Sequence, residues 1–236
     1  MSQRKKAVFN WSGGKDAALA LTNILNDPQF DIVSLLTTVN EDDNASSIHS
    51  IPSWLLSKQA DSIGLPLHTV PLQKTLKNHN VKIRSAVEHF KKQGVTHFIF
   101  GDLFLREVRK YREDQLNPLG IEVVEPLWGK TSTEIMQDFL HSGIQAKIIV
   151  TQADKLDCSF VGKRLNRNTI NAFPENIDIC GENGEYHTLS YAGGAFQKEI
   201  DFSIARVHKV SYDIGTTTKQ TQTYQYWQAE IHRGKR

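Results

Sequence analysis

The chain has 236 residues, 39% of them hydrophobic and 23% charged, with 28 Lys+Arg against 26 Asp+Glu for a formal net charge of +2. That balance excludes a globally disordered chain and argues against a dedicated nucleic-acid binder, which concentrates basic charge on one face. No apolar run approaches the roughly 20 residues needed to cross a bilayer, and the basic start Met1–Lys6 leads into no apolar signal core, so a cytoplasmic protein is expected.

In chain order, β-branched and aromatic runs predict strands at about 6–11, 31–39, 67–72, 97–101, 121–125 and 146–151. Helical spacing predicts helices between them at about 15–26, 51–63, 79–93, 103–116 and 132–142. Gly64, Gly94, Gly120 and Gly143 each stand just past a periodic run, where a left-handed cap is expected. This alternation predicts an α/β domain over 1–151, a mostly parallel sheet covered by helices on both faces. Beyond it, residues 152–236 read as a small, mixed and mainly β substrate-binding domain, with strands near 186–191, 204–212 and 219–232. Cys158 and Cys180 are the two cysteines and form no CxxC pair, so neither a disulfide framework nor a four-ligand zinc site is indicated.

Where the first strand meets the first helix the chain reads Phe9-Asn10-Trp11-Ser12-Gly13-Gly14-Lys15-Asp16. Two glycines let backbone N–H groups approach an anion, and the helix start adds unpaired donors and the positive end of its dipole. Ser12 offers a hydroxyl and Lys15 a compact positive charge. Asp16 would repel a polyphosphate unless a Mg²⁺ lay between them, which makes it the candidate metal ligand. A Walker A loop is excluded, because Phe9 and Asp16 stand where it needs Gly and Ser/Thr. A GxGxxG fingerprint is absent as well.

A second dense cluster runs Asp178-Ile179-Cys180-Gly181-Glu182-Asn183-Gly184-Glu185-Tyr186-His187-Thr188. Its glycines permit tight turns, and Glu182 and Glu185 can accept from an amine or position a metal. No second histidine stands at a ligand spacing from His187, so zinc is not expected. Gly101-Asp102 falls at the C-terminal end of a strand, the edge where open α/β sheets bind ligands; Asp102 can orient an amine there or cap the following helix. Arg106 and Arg109 share a helix face and can neutralise a phosphate or carboxylate.

Ser12-Gly13-Gly14-Lys15-Asp16 resembles the pyrophosphate loop of the ATP-pyrophosphatase superfamily, with Ala17 where the usual form has Ser. Together with Cys180-Gly181-Glu182-x-Gly184-Glu185-Tyr186 it is similar to the diphthine–ammonia ligase family. Further agreement comes from Gly101-Asp102 with Arg106, Arg109, Tyr111 and Arg112, from Pro126-Leu127-Trp128, and from Ile48-His49, where Ser50 replaces the usual Gly. The match spans about residues 7–200.

The resemblance implies a HUP/Rossmann-like nucleotide-binding domain, with ATP and Mg²⁺ as cofactors and ammonia as co-substrate. It also implies AMP-forming amidation of a carboxylate, the acceptor being diphthine on elongation factor 2 or another carboxylate. Lys15, Asp16, Asp102, Glu182 and Glu185 are the candidate catalytic residues; Ser12, Gly13, Gly14, Lys15, Asp16, Thr37, Thr38, His49 and Gly101 hold the nucleotide. The acceptor falls to Arg106, Arg109, Cys180, Gly181, Glu182, Gly184, Glu185, Tyr186, His187 and Thr188. Two other readings stay open, tRNA thiolation on the same loop through cysteine persulfide and a nucleotide sensor without turnover. So does homodimer formation.

Overall fold

Five parallel strands carry the first half of the molecule in the order β3-β2-β1-β4-β5. They are β1 (Lys5–Asn10), β2 (Phe30–Asn40), β3 (Leu67–Leu72), β4 (His97–Ile99) and β5 (Glu122–Val124), joined by α1 (Lys15–Leu25), α2 (Ser53–Ile63), α3 (His79–Lys91) and α4 (Arg106–Leu116). The computed structural model describes residues 3–46, 50–73, 78–215 and 221–234. Ala7, Val8 and Phe9 in β1 are wholly buried, which is why this strand is a continuous apolar run rather than an alternating one. Successive side chains point to opposite faces, so Ala7 and Phe9 join Leu21, Leu55 and Leu56 of α1 and α2. Val8 instead joins Val87 and Phe90 of α3 and Leu116 of α4. The result is the expected three-layer sandwich.

The sequence placed the strand near 146–151 as a sixth member of this sheet. Instead, β6 (Gln145–Gln152) is antiparallel to β7 (Tyr186–Ala192) and to β9 (Thr221–Arg233). With β8 (Phe202–Gly215) they form a second sheet, ordered β7-β6-β9-β8. Residues 145–151 therefore lie with the C-terminal sheet, across the division expected at 151/152. The helix before it, α5 (Ser132–His141), starts at a capping box in which Thr131 and Glu134 satisfy each other's backbone N–H. Ala146 and Ile148 of β6 and Leu189 of β7 belong to the same apolar cluster as α1 and α2, so the two sheets share a core. Gly64, Gly94, Gly120 and Gly143 all have positive φ, as their positions past the helices require. Among the described residues no helix is long and apolar enough to cross a membrane.

Candidate active site

The ladder between β1 and β2 ends at Asn10 and Leu36, while β2 continues beside β3 as far as Asn40 and Leu72. Trp11 N–H makes one more bond to Leu36 O at 2.7 Å before the chain turns away. Chain order also reverses here, with β2 on one side of β1 and β4 on the other. Beyond that point opens a cavity of about 550 Å³, lined by Ser12, Lys15 and Asp16, by Thr37 and Thr38, and by Gly101 and Asp102. It occupies the switch point at the strands' C-terminal edge, where this architecture receives ligands. Cys180, Gly181, Glu182, Gly184, Tyr186, His187 and Thr188 form the opposite wall. The two motifs, far apart in sequence, thus face each other across one cavity.

The Ser12–Asp16 loop is held from below by a side chain absent from the sequence-derived site. Gln59 on α2 is fully buried. Its Oε1 accepts from Trp11 Nε1 at 2.9 Å, and its Nε2 donates to Gly13 O at 3.0 Å and Ser190 O at 2.7 Å. Ser190 N–H donates to Gly13 O as well. Gly13 has φ +83°, and a Cβ there would sit 2.7 Å from Ile51 Cδ1 and 2.8 Å from Gln59 Oε1, so only glycine fits. Gly14 caps α1 in extended conformation without a side-chain bond, which leaves the first-turn N–H groups dependent on other partners. One partner is Thr188, whose Oγ1 accepts from Lys15 N at 3.0 Å.

Lys15 is 3% exposed. Its ammonium donates to Asp16 Oδ2 at 2.7 Å and to the carbonyl of Cys180, and lies 5.3 Å from the centre of the Tyr186 ring. Burial alone would lower its pKa, but the adjacent Asp16 carboxylate and the polar groups around it reverse that, and the net shift is upward. The side chain therefore keeps its charge. Asp16 spends Oδ2 on Lys15, while its Oδ1 is enclosed and has no hydrogen-bond partner. An enclosed carboxylate oxygen with an unmet need suits a Mg²⁺ arriving with substrate phosphates. Among the described residues no group of three or more His, Cys, Asp or Glu is arranged to hold a metal.

Glu182 and Glu185 part company. Burial, and then the charges of Asp16 and Asp102, push the Glu182 carboxyl up to about 7; it lines the cavity and can carry a proton near neutrality. Glu185 is 4% exposed and does not line the cavity. Its carboxylate accepts from Asp178 N and Asn183 N, each at 3.1 Å, and from Asn183 Nδ2 at 3.2 Å. It holds the loop's own backbone together and does not reach the cavity wall, where the sequence reading expected a catalytic and acceptor-binding residue. Gly181 and Gly184 supply the positive φ that the turn needs. Cys180 is buried, with Sγ donating to Ser132 O at 3.2 Å, and burial raises its thiol to about 12, so it is a poor nucleophile.

The basic helix also differs from the sequence reading. Arg106 is exposed. Arg109 turns to Glu113, at 2.9 Å, and lies over Trp128. Neither lines the cavity; Arg112 does. Its guanidinium grips Asp102 through both Nε and Nη2 and stacks 4.0 Å from the centre of the Phe100 ring. Asp102 is consequently an arginine partner, and Leu105 takes the N-cap position of α4. The signal available in the sequence was the three-residue step from Arg109, which puts Arg112 on the same face one turn closer to the helix end. His49 lies outside the described residues.

Gly101 fixes the distance between β4 and the loop. A Cβ there would sit 3.0 Å from Ala17 N and Ala17 Cα, so a branched side chain has to displace the first turn of α1. Gly101→Val is expected to weaken ATP binding at least about 10-fold while costing about 1–3 kcal/mol in stability. Calorimetric titration beside a denaturant melt checks both; full affinity in the variant would show that the spacing is not critical.

Family models match most of the chain: the diphthamide synthase N-terminal domain over residues 5–123 and the diphthamide synthase C-terminal domain over residues 131–222. Among solved structures the chain is similar to the U34-tRNA thiolase NcsA from Methanococcus maripaludis with its 4Fe-4S cluster, at 14% identity and a TM-score of 0.36. That similarity covers 58% of this chain and 57% of the thiolase, so the chain spans little over half of its length. No curated protein matches.

Proposed function

The chain belongs to the diphthamide synthase family, and from that premise we propose that it is an ATP-dependent, AMP-forming amide ligase that aminates a carboxylate with ammonia. The observation carrying this reading is the meeting of the Ser12–Asp16 loop and the Cys180–Thr188 loop across one cavity, with the Lys15 ammonium donating to Asp16 and to Cys180 O. In this reading the backbone N–H groups of Gly13 and Gly14 and the charge of Lys15 receive the two outer phosphates. The stretch of β2 at Thr37 and Thr38, which lines the cavity beyond the end of β1, receives adenine. Asp16 would hold Mg²⁺, which when bound neutralises charge on the phosphates. The acceptor's carboxylate attacks the α-phosphate, pyrophosphate leaves, ammonia attacks the activated carbonyl, and AMP departs.

The protein's contribution is mainly positioning and charge stabilisation. Glu182, with its proton affinity near neutrality, is placed to take a proton from the attacking amine. Diphthine on elongation factor 2 is the acceptor proposed from the family. Cys180, buried and protonated, is poorly suited to carry sulfur for the thiolation alternative, and the exposed Cys158 does not line the cavity.

The test is incubation with MgATP, ammonium and elongation factor 2 bearing diphthine, with each left out in turn. AMP and pyrophosphate are expected only in the complete mixture, together with a mass change in the acceptor. ADP and orthophosphate would defeat the reading. Asp16→Asn is expected to raise the Mg²⁺ needed for half-maximal turnover by about 10-fold or more. An unchanged requirement would remove Asp16 from the metal role.

A further inference from the structure

Glu125 follows directly on β5, on the same sheet edge as Asp102. Its side chain is 1% exposed, and neither carboxyl oxygen has a hydrogen-bond partner. The cation beside it is Arg109, whose Nε stands 3.6 Å away but gives its hydrogen bond to Glu113. Asp102, meanwhile, occupies Arg112 through two contacts. The charges facing Glu125 are thus Asp102 on the loop after β4 and Arg109, Arg112 and Glu113 on α4. With Glu125 ionised, three carboxylates stand against two guanidiniums; with Glu125 protonated, the group is neutral. An enclosed acceptor without a donor is costly, and burial, with Asp102 close by, raises this carboxyl to about 7.

We propose that Glu125 is a positioning residue whose own proton sets how firmly Arg112 can hold a phosphate group of the nucleotide in the cavity. This rests on the nucleotide reading above. A phosphoryl oxygen arriving at Arg112 competes with Asp102 for the guanidinium. An ionised Glu125 behind that pair adds a second negative charge opposing the newcomer, and a proton removes it. Anion binding therefore raises the proton affinity of Glu125, and by linkage the proton strengthens anion binding. The folded carboxyl already titrates above its ordinary range, so binding is tightest below about pH 7 and weakens as pH rises through it.

The test is calorimetric titration of the full chain and of Glu125→Gln with ATP, and with adenosine as the neutral reference, at about pH 6 and about pH 8.5. The two proteins are expected to bind ATP equally at the lower pH. At the higher pH the Gln variant, neutral throughout, is expected to bind about 10-fold more tightly, the equivalent of one pKa unit of coupling; adenosine should show no such difference. A carboxyl that merely supports the structure predicts weaker binding by the variant. That result, or an affinity ratio that does not change with pH, overturns the proposal and leaves the nucleotide reading standing. Failure of the wild-type chain to bind ATP at any pH overturns both. If the variant does not fold, titrations of Glu182→Gln with ATP at about pH 8 in buffers of different ionisation heat decide the matter, because that background removes the other cavity carboxyl raised to about 7 and ATP is then fully ionised. Net proton uptake on binding supports the proposal, and none overturns it.

Discussion

Replacing Lys15 with alanine is expected to reduce pyrophosphate release by roughly 10²- to 10³-fold, the range seen when one preorganised charge-stabilising donor is removed. The ammonium is enclosed and keeps its proton, and in the proposed reading it receives the outer phosphates. The change also strands Asp16, whose Oδ1 already lacks a partner. An unpaired carboxylate at the mouth of a phosphate site repels the substrate as well as failing to bind it. Lys15→Met preserves the apolar stem and separates lost charge from lost packing. Both variants should lose turnover alike if charge is the cause. Quench-flow measurement of AMP formation decides this, and near-normal rates in the alanine variant would remove the loop from the chemistry.

Gln59→Leu should be the most destabilising single change near the site. The substitution keeps the volume and deletes three hydrogen bonds, leaving Trp11 Nε1, Gly13 O and Ser190 O without that partner inside the core. Gly13 O retains Ser190 N–H, so two groups bear most of the cost, each about 1–3 kcal/mol. The expected loss is about 3–5 kcal/mol, a drop in Tm of about 6–20 °C for a chain of this size. A melt within about 2 °C of wild type for the leucine variant would show that the loop carries its own conformation.

The place of the Ser12–Asp16 loop at a strand-to-helix junction on the cavity wall was legible because its signals are local: the glycines, the hydroxyl, the lysine and the helix start are consecutive. The sheet assignment of β6 was not, because Gln145–Gln152 is an apolar, β-branched run buried on both sides, and periodicity says nothing about which sheet supplies the neighbours. The choice between Glu182 and Glu185 likewise depended on turn geometry at Gly181 and Gly184, which aims one carboxylate into the cavity and the other at backbone N–H groups. Among the three arginines of α4, spacing put them on one side of the helix but could not reveal which one reaches back to Asp102. Gln59 read as an ordinary helix position, since its partners lie 46, 48 and 131 residues away.

Gly13 O and Lys15 N each rely on a residue of β7, Ser190 and Thr188 respectively. A nascent polypeptide emerging from the ribosome without that strand would carry the glycine turn but lack two of its anchors. The folded conformation of the glycine turn should therefore arrive late in synthesis, only once β7 has been made.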